Sequence, residues 1–153
     1  APSVSAMMSN PGFFTDKNVV RELRKIAKKR EITRRDLMFV IKSGDIGGVG
    51  ETTANYNVIS STKDVSGYAA ALTRMEEAAS ENGFGDITVA LWGSVTSGDR
   101  AGTVMASVQA PTSERLGAFF DQRDSSWMTE AMSTFDSIRT PVVDFMMQCK
   151  LYQ

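Results

Sequence analysis

The spacing of apolar positions changes character twice along this chain. Residues 1–14 carry Pro2, Pro11 and Gly12 as breakers and predict an irregular tail. Val19, Val20, Leu23, Ile26 and Ala27 then recur at helical spacing, with Thr15 or Asp16 placed to cap them. The pattern pauses at residues 31–33. Thr33, with Asp36 three positions on, resembles a capping box and starts a second apolar stripe at Leu37, Met38, Val40 and Ile41. Residues 15–43 therefore predict a helical hairpin. The run GDIGGVG stops it, and residues 44–51 predict a glycine-rich linker, since glycine admits backbone angles that other residues resist.

From Thr52 the period shortens to two. Residues 52–61 predict a strand and residues 65–82 a helix capped by Asp64 and closed by Gly83. Residues 86–95 and 103–110 predict a hairpin pair of strands joined by turn residues. Two helical stretches follow at 113–122 and 125–139, and residues 142–152 predict a closing strand. The fold class is thus α+β, in the order strand, helix, strand, strand, helix pair, strand. That order over residues 52–153 resembles the ferredoxin-like unit of the dimeric α+β barrel superfamily, of antibiotic-biosynthesis monooxygenase-like or stress-responsive barrel type. The resemblance implies a sheet that pairs with a second copy, a pocket between sheet and helices, and oxygenase members that use Asn, Trp, Tyr and Arg without a cofactor.

Charge sharpens the division near Gly50. Residues 1–50 hold 10 Lys and Arg against 5 Asp and Glu, whereas residues 51–153 hold 7 against 13. The basic residues Arg21, Arg24, Lys25, Lys28, Lys29, Arg34 and Arg35 form a candidate partner-binding arm. An acidic protein is the favoured partner over nucleic acid, because no aromatic residues interleave with the cations and LMFVI is too apolar to face a groove. There is no run of 18 apolar residues and hence no membrane span. The single cysteine, Cys149, allows no intrachain disulfide and fits the cytoplasm or another reducing compartment. An organelle reached through a removed targeting peptide is the secondary reading.

Histidine is absent, which removes the commonest general base and metal ligand, and no metal cluster or cofactor motif is legible. GDIGGVG lacks the lysine of a phosphate loop and precedes a strand. The carboxylates Glu76 and Glu77, Asp121 and Asp124, and Glu81 with Asp86 read as solvated surface charge. The candidate ligand residues are Asn57, Trp92 and Ser94, with Tyr56, Tyr68 and Trp127 beside them. Nine methionines, Met128 and Met132 one turn apart among them, read as adaptable filling. The missing chemistry favours a non-enzymatic binding or assembly protein, a homodimer or larger oligomer whose arm docks a partner. The alternatives are a small cofactor-independent oxygenase or isomerase, and nucleic-acid binding through the arm.

Overall fold

A computed structural model describes residues 17–27, 37–44, 47–95 and 100–150. Helix α1 (Lys17–Ala27) precedes strand β1 (Met38–Lys42) and the long strand β2 (Thr52–Thr62). Helix α2 (Val65–Glu81), strands β3 (Thr88–Ser94) and β4 (Thr103–Ala110), helix α3 (Ser113–Phe120), a 3-10 turn (Asp121–Asp124), helix α4 (Ser126–Ser133) and strand β5 (Arg139–Lys150) complete it. The five strands form one antiparallel sheet in the order β1-β3-β4-β2-β5. Without β1 this is the ferredoxin-like arrangement expected from the element order.

Local chemistry sets the helix ends. The Asp64 carboxylate accepts from the Gly67 N–H at 2.8 Å and starts α2. Thr112 Oγ1 accepts from Arg115 N at 3.1 Å at the head of α3. Gly83, at φ +85°, closes α2 in the left-handed conformation that glycine reaches without strain. Tyr68, Leu72, Met75 and Ala79 recur at helical spacing along α2, and all are buried against the sheet.

The expected second helix of the N-terminal hairpin is not formed. Met38–Lys42 is a strand on the outer edge of β3. A short apolar run rich in branched side chains serves either periodicity, and here a free strand edge was available to pair with it. Gly93 makes the join close, because a Cβ there would meet the Phe39 ring and Ile41. The Thr33 cap and the cations Lys28, Lys29, Arg34 and Arg35 lie outside the described residues. Arg21, Arg24 and Lys25 are exposed on α1, and Lys25 Nζ lies 2.8 Å from Glu22.

Glu76 is not the solvated carboxylate that its sequence suggests. Its Oε1 accepts from Val89 N at 3.0 Å, and its Oε2 accepts from Lys42 Nζ at 2.6 Å. Lys42 Nζ also donates to the Val89 carbonyl at 2.8 Å. This partly buried clip ties β1 and β3 to α2.

Candidate functional site

Alternation along β2 sends Tyr56 and Val58 toward the helices, and Ala106 and Val108 on β4 share that face. Between these residues and the helices lies a cavity of about 190 Å³. Leu72 and Met75 of α2, Phe119 and Phe120 of α3, and Met128 and Met132 of α4 supply its helical wall. The polar groups on it are few: Tyr56, Arg123 and Arg139. An apolar chamber with a small number of placed polar groups is the usual form of a small-molecule site. For scale, a cavity of about 150 Å³ holds benzene, so this volume suits one ring.

The Tyr56 hydroxyl donates to Asp144 Oδ2 at 2.6 Å. Burial, followed by that hydrogen bond and the carboxylate's charge, pushes the phenol pKa up to about 12. Tyr56 is therefore a protonated donor at neutral pH. Arg139 Nη1 donates to the Tyr68 hydroxyl oxygen at 2.7 Å, and its guanidinium lies 4.8 Å from the Phe135 ring centroid. The guanidinium is thus anchored on aromatic faces while carrying positive charge at the cavity wall. With the Tyr56 proton committed to Asp144, the anchored Arg139 is the cation that an apolar chamber of this kind offers to an anionic oxygen on a ring.

The structure divides the residues singled out in the sequence. Tyr56 lines the cavity, and Tyr68 meets it through Arg139. Trp127 belongs to the outer wall, with its ring centroid 6.1 Å from that of Phe119 and 6.2 Å from that of Phe84. Asn57, Trp92 and Ser94 sit on the opposite face of the sheet, because strand alternation points them away from the helices. There Ser107 Oγ donates to Asn57 Oδ1 at 2.5 Å, while Asn57 Nδ2 and Trp92 Nε1 are buried without a hydrogen-bond partner.

Arg139 and Asp144 went unremarked in the sequence. Asp144 had a signal, as a lone carboxylate inside the apolar run VVDFMM. Arg139 had none beyond its place before Pro141.

A larger depression of about 480 Å³ lies at the far end of the sheet, among Gly47, Glu51, Thr53 and Asp86. Its carboxylates are already engaged. Glu51 Oε2 accepts from Gly48 N at 2.7 Å, and Asp86 accepts from Arg115 Nε at 2.8 Å. The cavity under the helices is therefore the better candidate despite its smaller size. Among the described residues no cluster of three or more metal-ligating side chains occurs, and no helix is long and apolar enough to cross a membrane.

No family model matches the sequence, and no curated protein matches it. Solved structures do. A provisionally named monooxygenase of Fusobacterium nucleatum subsp. nucleatum superposes with TM-score 0.54 at 10% identity, over 97% of this chain and 65% of that one. A provisionally named monooxygenase of Lactobacillus acidophilus gives 0.48 at 6% identity, over 95% and 64%. An anthrone oxidase-like protein gives 0.49 at 11% identity, over 95% and 66%. The chain spans about 65% of the length of the Fusobacterium protein, and at such identity the likeness shows the fold. That fold is ferredoxin-like.

Proposed function

We propose that this chain is a small oxygenase or isomerase that works on a one-ring acidic substrate between sheet and helices, with its own side chains as the working groups. The observation that carries this reading is the convergence of Tyr56, paired with Asp144, and of Arg139 on a cavity whose lining is apolar apart from these and Arg123. Both reactions begin with loss of a proton from a carbon beside the ring's oxygen-bearing position. Tyr56, which lines the cavity, takes up that proton as its own hydroxyl proton passes to Asp144 along their 2.6 Å hydrogen bond, and Arg139 at the cavity wall holds the resulting oxyanion. In the oxygenase branch the anion passes its electrons to O2. A CH2 group becomes C=O, one oxygen atom stays in the product, and the other leaves as water with two substrate hydrogens. In the isomerase branch the proton returns to a different carbon. The names of the solved relatives favour the first branch. The assembly reading rested on absent chemistry, which this cavity supplies from residue types other than histidine.

Ala106→Leu tests the reading, because it fills the chamber with little change in polarity. A panel of one-ring phenols and cyclic ketones, followed by NMR titration and oxygen uptake, should show binding of both classes by the parent protein and turnover of those with a ring CH2 beside the oxygen-bearing carbon. The variant should lose at least about tenfold in binding while staying folded, and Arg139→Met should lose turnover more than folding. Unchanged binding in the filled variant overturns the assignment.

We further propose that the chain pairs with a second copy through β5. The strand leaves Val143 and Phe145 exposed on the face away from the helices, and its outer edge is unpaired within the sheet.

A further inference from the structure

We infer that Phe120 divides one continuous ligand channel, and that the groove outside it holds the apolar tail of the substrate whose ring fills the inner cavity. This rests on the cavity reading above and adds a specificity determinant to it.

The groove measures about 250 Å³ and runs between α3 and β5. Phe120 lines both this groove and the inner cavity. Its ring stands edge-on to Tyr56, with centroids 5.0 Å apart at 82°, and edge-on to Phe119 at 5.6 Å and 68°. It ends α3, where the chain tightens into the 3-10 turn Asp121–Asp124. The partition is therefore one half-buried ring at a helix end, not a layer of backbone.

The chemistry of the groove suits hydrocarbon. Ala54 and Leu116 give it an apolar lining, and Met146 stands 67% exposed beside it. The Gln148 side-chain amide donates to Ser113 Oγ at 3.2 Å, so those two polar groups are already paired with each other. A charged or hydrogen-bonding extension would find little to meet here, whereas an alkyl chain would cover Met146 and Leu116.

Gly117 provides the test position. It lines the groove one helical turn before Phe120, and a Cβ added there meets nothing within 4 Å. A leucine side chain in that open space occupies the groove without touching the inner cavity, and leucine favours helix over glycine. The probes are phenol and 4-butylphenol, titrated by NMR against the full chain. The parent should bind 4-butylphenol more tightly than phenol, by about fourfold for each methylene covered. Gly117→Leu should erase that preference and leave the phenol affinity within about twofold, and Phe120→Ala should admit two-ring phenols that the parent excludes. If Gly117→Leu leaves the 4-butylphenol preference intact, or the parent shows none, the tail assignment falls while the ring site stands. If phenol itself does not bind the parent, the ring site falls and the tail assignment falls with it.

Discussion

At Tyr56 a single proton reports on the whole site. The phenol pKa stands at about 12 in the folded protein, against 10.0 for an unperturbed tyrosine. The folded-state value is the higher one, so the stabilising contribution is complete below pH 10. It is lost as pH rises from 10 toward 12, where the unfolded chain ionises and the native site resists. Ultraviolet titration of tyrosinate should therefore show one late component that Tyr56→Phe removes. Asp144→Asn should move that component down only part of the way, since burial is the larger cause and stays in place. A component unmoved by Asp144→Asn would separate the carboxylate from the phenol. Tyr56 was legible as a candidate from its residue type. Its direction was less so, because Asn57 beside it looks just as suited to a ligand, and only the side of the sheet on which α2, α3 and α4 settle separates the two. Asp144 gave a clue by interrupting apolar residues, but its partner lies 88 positions away and no local pattern marks that distance.

Among the elements, those held by local chemistry were readable and those held by a distant edge were not. Asp64, Thr112 and Ser125 announce α2, α3 and α4, because a cap and its N–H partner are three residues apart. β1 had no such sign. Its strand state depends on the vacant edge of β3 and on Glu76, whose carboxylate spans Val89 N and Lys42 Nζ. Glu76→Ala should accordingly destabilise the fold by about 1–3 kcal/mol in urea denaturation, since a backbone N–H and a half-buried ammonium both lose their partner. Adding Lys42→Met should recover part of the loss by removing the stranded charge, while the unpaired Val89 N–H keeps it incomplete. Simple additivity of the two changes would refute a shared clip.

For the whole molecule, β5 decides how the two sides of the sheet are used. It is an edge strand of 12 residues, and Pro141 sits on it where the missing N–H is tolerated at an edge. Register places Asp144 and Met146 on the helix side, opposite Val58 and Tyr56. The same register sends Val143 and Phe145 to the other side, opposite Ile59 and Asn57. Topology of this kind could be read from element order, because the ferredoxin-like plan follows from alternating strands and crossover helices. The choice of face could not. On β5, Asp144 and Met146 thus share the helix side, whereas Val143 and Phe145 are exposed on the other. If the copies meet there, Val143→Lys combined with Phe145→Lys should convert a dimer to a monomer by light scattering. It should leave phenol binding within about twofold, since neither side chain lines the cavity. A parent protein that is monomeric at tens of micromolar, or a double variant that stays dimeric, rules out this face as the junction. Loss of phenol binding together with the dimer would mean that the channel needs the second copy to close it, contrary to the independence that the alternation of β5 implies.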